Sequence, residues 1–375
     1  MATCNEFHQL IPDDVIIDIL LRLPVKSLIR ARAVCKNWYT IIKNTSFVAK
    51  HFNRHTNSGR LFVHRHDKIS EKYVFSLYPD QTLAGSSPVY QDLVVDMPDK
   101  LWVGACNGIL CLSYHSRRFA LWNPATREYR SLPEVPRKFP PNVTSFQETF
   151  GFGLDPITND YKLVRIWNTA DFIRGKMHGP YKVAVYTLST DSWRHLDVDL
   201  PYTWIDTPQT STCINGVYYW SVSENFNHYL ILSFDMSNEL FHDILDIPSS
   251  KPSSIVPYNN SLALIYIKED KGGVDIWVMR EEGGWTKQLT VELIRYPFGF
   301  WKNGKIITKI DERRVVLYDP ETHEIKYLGS PNWANCLVYR ESLVAIGGGD
   351  GLLAHNQLSD VDLIFNFSKT VLSSS

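Results

Sequence analysis

Apolar residues recur at three- and four-residue spacing through the first 55 positions and at strand-like spacing beyond them. Pro12 can open a helix, with Asp13 and Asp14 in its first turn, where negative charge complements the helix dipole. Val15, Ile16, Ile19, Leu20 and Leu23 then lie on one face of period 3.6. Pro24 ends that helix and starts the next, because proline is tolerated in a first turn but not in the interior. The second helix carries Val25, Leu28, Ile29 and Ala31, the third Val34, Cys35, Trp38, Ile41 and Ile42, and Phe47, Val48 and Phe52 predict a further helical turn. Ile17 and Leu21 make the first helix apolar almost all round, so it must be covered on more than one side. Three short helices bury too little surface to supply that cover; the rest of the chain or another protein must.

From about residue 60 the pattern becomes short runs of β-branched and aromatic residues. The predicted strands are 60–66, 73–77, 109–114, 119–122, 162–167, 183–188, 217–222, 231–234, 262–267, 274–279, 305–310 and 315–318. Turn signals separate them: Asn107-Gly108, Asn123-Pro124, Asp155-Pro156, Asn215-Gly216, Gly283-Gly284, Asn303-Gly304 and Asp319-Pro320. A weak repeat emerges, a strand ending in an aromatic, a polar turn, then another aromatic or apolar pair. Leu121-Trp122-Asn123-Pro124 through Tyr129, Val185-Tyr186 through Trp193, Ser233-Phe234-Asp235 through Phe241, Ile276-Trp277 through Trp285, and Leu317-Tyr318-Asp319-Pro320 through Ile325 are its units. Their spacing, roughly 40 to 65 residues, is that of propeller blades. The leftover strands at 60–77 and 335–346 can pair into a sixth blade that closes the ring with both ends of the chain. The fold class is therefore α+β, a small N-terminal three-helix unit over 1–55 followed by an all-β, six-bladed propeller-like domain over 60–348, with a C-terminal tail over 349–375. An irregular pair of β-sandwiches is the alternative.

Composition is globular, 44% hydrophobic and 21% charged, and the formal charge of −1 gives no overall reason to bind nucleic acid or an anionic membrane. Residues 1–60 hold nine Lys/Arg against four acids, a basic head that either meets an acidic partner or is a solvated helix surface. No run nears the roughly 20 apolar residues of a membrane span, and Val15–Leu21 is too short and too acidic at its start for a signal peptide. The six scattered cysteines make no disulfide framework, in keeping with a reducing compartment. The expected location is the cytoplasm, with the nucleus as a further site.

Ile11-Pro12-Asp13-Asp14, Ile19 through Leu28, Arg32-Ala33-Val34-Cys35-Lys36-Asn37-Trp38 and Phe47 resemble the F-box in order and spacing across about 40 residues. Ile11 departs from the family's usual leucine, a change that keeps volume. The resemblance implies binding to a Skp-type adaptor, and through it to a cullin and a RING subunit, and it accounts for the over-hydrophobic first helix. Carried over by position, Ile11, Pro12, Val15, Ile19, Leu20, Leu23, Pro24, Leu28, Val34, Cys35 and Trp38 make that interface or support it, with packing among the helices as the plainer reading of each. Pro12 and Trp38 are the foremost candidates for direct contact.

Cys106-Asn107-Gly108-Ile109-Leu110-Cys111, Trp122-Asn123-Pro124, Phe150-Gly151-Phe152-Gly153-Leu154-Asp155, Asn159-Asp160-Tyr161-Lys162 and Asp191-Ser192-Trp193-Arg194 resemble the F-box-associated interaction region of plant F-box proteins. Within that set the chain is similar to the S-locus F-box-like and F-box-kelch-like group. Some members recognise pistil ribonucleases and others control immune-receptor levels, so a protein substrate of either class is implied. These motifs maintain the fold; substrate contacts are expected on loops, which a rigid scaffold presents. The long loops 134–147, 169–180, 203–210 and 247–256 make Arg137, Lys138, Phe139, Phe172, Arg174, His178, Tyr202, Trp204 and Tyr258 the candidate contacts.

No catalytic motif is present, neither a GxSxG elbow, nor a P-loop, nor HExxH, and the glycine run 347–351 lacks the P-loop lysine. His64 and His66 share a strand face without a third ligand nearby. Cys35 is expected to be buried and inert. No cofactor or metal is expected. The chain reads as the non-catalytic substrate-recognition subunit of a Skp-cullin-F-box ubiquitin ligase, working by proximity. The rivals are a propeller enzyme with a helical accessory head and an F-box protein that inhibits its partner without degrading it.

Overall fold

The computed structural model describes residues 11–55, 59–67, 72–78, 93–95, 102–114, 118–135, 143–171, 179–208, 211–225, 227–244, 247–249, 251–268, 273–281, 283–292, 294, 296–310, 314–329 and 334–347. The head is α1 (Asp13–Leu21), α2 (Val25–Ala31), α3 (Lys36–Lys43) and α4 (Thr45–Arg54). Pro12 and Pro24 precede α1 and α2 in extended conformation, as a proline at a helix start requires. Asn44 caps α4, its side chain accepting from the amides of Ser46 (2.9 Å) and Phe47 (3.4 Å). That cap turns the single expected helical turn into a full fourth helix. Ile16, Leu20, Leu21, Val25, Leu28, Ala31, Ile42 and Phe47 form the head's core.

The β body is six four-stranded antiparallel sheets. β1 (Arg60–Asp67), β2 (Lys72–Tyr78) and β3 (Leu93–Val95) begin the first blade. The second is β4 (Trp102–Cys106), β5 (Ile109–Tyr114), β6 (Arg118–Asn123) and β7 (Glu128–Ser131); the third is β8 (Val143–Asp155), β9 (Asp160–Asp171), β10 (Lys182–Thr187) and β11 (Ser192–Leu196). The fourth is β12 (Trp204–Ile205), β13 (Val217–Ser223), β14 (Tyr229–Asp235) and β15 (Phe241–Ile244); the fifth is β16 (Ser254–Tyr258), β17 (Ser261–Ile267), β18 (Val274–Met279) and β19 (Trp285–Val291). The sixth is β20 (Tyr296–Phe300), β21 (Ile306–Lys309), β22 (Val315–Tyr318) and β23 (Ile325–Gly329), and β24 (Ala334–Tyr339) returns to pair with β1. The sixth expected blade therefore forms from both ends of the chain, with Leu61 opposite Val338 and Val63 opposite Cys336.

One apolar cluster lies between each pair of neighbouring blades, which closes the ring. Phe62 and Leu77 meet Leu110 and Leu112 between blades one and two. Phe119 and Leu121 meet Phe152 and Leu163 between two and three, and Val164 and Val185 meet Trp220 and Phe234 between three and four. Tyr219 and Ile231 meet Leu262 and Leu264, Ile265 and Ile276 meet Ile306 and Tyr318, and Ile307 and Leu317 meet Leu61 and Val63. Each sheet is thus apolar on both faces, as a stacked blade must be.

The turns explain the repeat. At the third-to-fourth strand turns of blades two, four and six, Asn123, Asp235 and Asp319 accept backbone amides two and three residues on, at 2.7–3.4 Å. The loops are shorter than expected: β8 begins at Val143, β9 runs to Asp171, β12 starts at Trp204 and β16 at Ser254. The run 335–346 is not all strand. It leaves the sheet after Tyr339, and 340–347 crosses the second blade as an extended strap.

In an up-and-down blade the first-to-second and third-to-fourth turns share one end, and the remaining connections share the other. The strap and the head occupy the tight-turn end. Asn123 donates to the carbonyls of Ser342 (3.1 Å) and Val344 (2.8 Å), and Arg130 donates to that of Ile346 (3.0 Å). The Ile346 amide donates to Glu128 at 2.9 Å. Gly108, at φ 81°, admits this approach; a Cβ there would lie 2.4 Å from Ser342 Cβ. Leu343, 2% exposed, enters the head's core, and Ala125 packs beside it. The Arg340 guanidinium lies 4.1 Å from the Phe52 ring centroid. The propeller thus supplies part of the cover that the apolar α1 needs.

Candidate functional site

What the strap leaves uncovered on the head is an apolar stripe. Val15 is 44% exposed, Ile19 50% and Val34 57%, and Pro12 is exposed beside them. Pro12, Val15 and Ile19 fall at i, i+3 and i+7 along α1, one helix face. The Asn37 amide donates to Asp13 at 3.4 Å and ties the start of α3 to the start of α1, which brings Val34 and Trp38 to the same end of the head. Beyond Ile19, Asp18 accepts from Arg22 (2.6 Å) and Arg54 (2.8 Å). The hydrogen bonds from Arg54 and Arg22 hold its carboxyl below the usual range.

The eleven residues assigned from the F-box pattern divide by burial. Pro12, Val15, Ile19, Pro24 and Val34 are exposed, Ile11, Leu23, Cys35 and Trp38 are half-buried, and Leu20 and Leu28 are wholly inside the head's core. Cys35, expected to be buried, precedes α3 in extended conformation and is only half-buried. Tyr39, 39% exposed with Lys43 over its ring, extends the apolar surface and was not singled out from sequence. Its single aromatic at an unremarkable position carried no signal.

At the other end of the ring, loops of blades three, four and five meet. Tyr181 donates to Gln147 Oε1 at 2.7 Å, and the Gln147 amide donates to the Ile205 carbonyl. Trp204 Nε1 donates to Asp206 Oδ1 at 2.8 Å, and Lys251 Nζ lies 2.8 Å from Asp206 Oδ2. Arg165 pairs with Glu148 at 2.6 Å, both largely buried, with the guanidinium 4.8 Å from the Trp167 ring centroid. β8 and β9 pair from Val143 opposite Asp171 to Asp155 opposite Asp160, whereas β10 reaches only as far as Trp167. The inner hairpin therefore runs about four residues, roughly 13 Å, beyond its neighbour.

Of the nine loop candidates, Trp204 lies on this rim, half-buried, and Tyr202 is buried beneath it, donating to Asp243. Tyr258 is elsewhere: it ends β16 at the tight-turn end, its ring 4.5 Å from that of Phe300. Arg137, Lys138, Phe139, Phe172, Arg174 and His178 lie outside the described residues, as do 349–375 and the His66 side chain. Gln147, Tyr181, Asp206 and Lys251 were missed because each is an ordinary residue in sequence; only the meeting of three blades gives them a common surface. His64 is buried against Phe62 and Phe75. Among the described residues no group of three His, Cys, Asp or Glu is placed to hold a metal ion, and no helix is long and apolar enough to cross a membrane.

A family model for the F-box domain matches residues 8–61, and one for the F-box associated beta propeller domain matches residues 60–327. F-box protein At3g07870 of Arabidopsis thaliana is 27% identical over 393 residues, covering 89% of this chain and 91% of that protein. F-box protein At5g18160 of the same plant is 31% identical over 288 residues, covering 73% of this chain and 67% of its own length. F-box protein CPR1, also from Arabidopsis thaliana, is 26% identical over 344 residues, with 82% and 79% covered.

Proposed function

We infer the function from the family: the chain belongs to the F-box proteins that carry an F-box-associated β-propeller, which are generally non-catalytic adaptors. In this reading it is the substrate-recognition subunit of a Skp-cullin-F-box ubiquitin ligase. The observation that carries it is the exposed stripe of Pro12, Val15, Ile19 and Val34 on a head whose other side is already packed on Leu343. Solvent-exposed apolar residues that are scattered need no explanation, but a contiguous row on one helix marks a partner. A Skp-type adaptor covers the stripe and links the chain to cullin and RING subunits.

The protein substrate binds the rim at the far end, where the Trp204–Asp206–Lys251 contacts and the projecting β8–β9 hairpin form a surface fixed by hydrogen bonds. Adaptor and substrate then occupy opposite ends of a rigid ring, separated by strands of about seven residues, roughly 20 Å. Catalysis is proximity: a substrate lysine is held where the charged E2 can reach it. The resemblance to S-locus and immune-regulating relatives makes pistil ribonucleases and immune receptors the first substrates to try. The cytoplasm or nucleus is the place of action, in keeping with described cysteines that are all free thiols.

Size-exclusion chromatography of the chain with adaptor, cullin and RING subunit tests this. Co-elution with cullin only when the adaptor is present is expected. Failure to enter the complex, or direct cullin binding without adaptor, would contradict the assignment.

A further inference from the structure

Asparagine is followed by glycine at Asn107-Gly108, Asn215-Gly216 and Asn303-Gly304. Each pair turns the chain into the second strand of its blade, in blades two, four and six. All six residues have positive φ, from 44° to 57° at the asparagines and from 72° to 81° at the glycines. Backbone conformation therefore does not separate the three turns; what packs on each of them does.

Asn107-Gly108 lies under the strap. Asn107 is half-buried and its carbonyl accepts from the Tyr161 hydroxyl at 3.5 Å. A Cβ on Gly108 would lie 2.6 Å from the Arg340 carbonyl oxygen. Asn215 is exposed, but its turn is held on both sides. Ile214 and Val217 exchange backbone hydrogen bonds of 2.8 and 2.9 Å, and the Met236 amide donates to the Gly216 carbonyl at 2.9 Å. A Cβ on Gly216 would lie 2.5 Å from Pro156 Cδ. The third turn is open. Asn303 is exposed, and among the described residues no atom lies within 4 Å of a Cβ placed on Gly304. The bond across it, from the Lys305 amide to the Lys302 carbonyl, is long at 3.3 Å.

From these differences we propose that Asn303 is a modification site, the position at which the folded chain deamidates and isomerises while Asn107 and Asn215 are protected. The step requires the turn to open and rotate until the Gly304 nitrogen reaches the Asn303 carboxamide carbon. The nitrogen attacks that carbon; a ring C–N bond forms, the bond to the amide nitrogen breaks, and ammonia leaves with the Gly304 amide proton. The five-membered imide takes up one water at either carbonyl and opens to aspartate or to isoaspartate, with no oxidant or reductant involved. Glycine leaves the attacking nitrogen uncrowded, and Lys302 and Lys305 place positive charge beside the negative charge that builds there.

The product carries a carboxylate between Lys302 and Lys305, and in isoaspartate the main chain of the turn is one carbon longer. The turn backs the link between head and ring: a Cβ on Gly59 would lie 3.9 Å from Lys302 Cε and 4.0 Å from the Trp301 ring. The modification thus changes the surface on which that link rests.

The test is to age the full chain at mildly alkaline pH in oxygen-18 water and map its peptides by mass spectrometry, with a second sample aged in guanidinium chloride. In the folded chain Asn303 should deamidate at least about tenfold ahead of Asn107 and Asn215, a difference of about 1.4 kcal/mol in the cost of opening the turn. Its product should gain one heavy oxygen and include isoaspartate, and in denaturant the three rates should converge to within a few-fold. The proposal is overturned if Asn303 keeps its amide in the folded chain, if Asn107 or Asn215 keeps pace with it, or if its lead is as large in denaturant.

Discussion

Replacing Leu343 by alanine removes the one strap side chain that enters the helical head's core, where it is 2% exposed among Ile16, Leu20, Leu28 and Ile42. The bonds that hold the strap to the propeller, from Asn123 to the carbonyls of Ser342 and Val344 at 3.1 and 2.8 Å, are untouched. The change therefore isolates packing between head and ring. Loss of transfer free energy plus the cavity left behind amounts to about 3 kcal/mol for a buried leucine. Four helices of this size retain little stability of their own, so the loss falls on the head. Amide hydrogen exchange in α2, at Leu28 to Ala31, should speed up by about a hundredfold, since each 1.4 kcal/mol is tenfold. Exchange in β5 and β6 of blade two should stay as in the wild type. Unchanged exchange in α2, or equal acceleration in head and ring, would refute the view that the strap couples them.

Lys162, buried between blades three and four, lies 3.1 Å from both Asp155 and Glu239 and donates to the Met236 carbonyl at 2.5 Å. Lys162→Met leaves Asp155, 1% exposed, without its counter-charge and should cost about 3–5 kcal/mol in urea unfolding; a loss under about 1 kcal/mol would show that the pair contributes little. His64 is wholly buried, and burial lowers its pKa from 6.5 to about 4. The unfolded chain therefore takes up this proton first, so the contribution is complete above about pH 6.5 and is lost, by about 3 kcal/mol, as pH falls to about 4. His64→Leu should flatten the stability profile in that window relative to wild type, and parallel profiles would rule out His64 as the source.

The twelve strands legible in the sequence are the second and third strands of all six blades. They are the strands covered by neighbouring blades on both faces: β13 and β14 are buried along almost their whole length. The first strands of blades four, five and six escaped notice because they are short or interrupted. β12 has two residues, β16 contains Pro257, and β20 contains Pro297 and Gly299. Outer strands read as polar because one edge meets solvent, as in β19, where the middle residues are mostly exposed. The head was legible in the periodicity of α1 and in Pro12 and Pro24, but the division of its apolar residues was not. Leu20 and Ile19 are adjacent and chemically alike, and only the packing of the head's own helices together with Leu343 makes one core and the other surface. The strap itself gave no sign, because Leu343 and Ile346 look like the continuation of a strand and their partners lie at the far end of the chain.

The central claim is that the exposed face of α1 is the adaptor-binding surface. Isothermal titration calorimetry of the full chain against a plant Skp-type adaptor tests it, with Val15→Asp/Ile19→Asp alongside. Both residues are about half exposed, so the variant should fold and melt like the wild type. The account predicts binding by the wild type and a loss of at least about 2 kcal/mol, some thirtyfold, in the variant, as expected for charge at an interface centre. Equal affinity of the two chains, or a folded wild type that binds none of several adaptors, would contradict it.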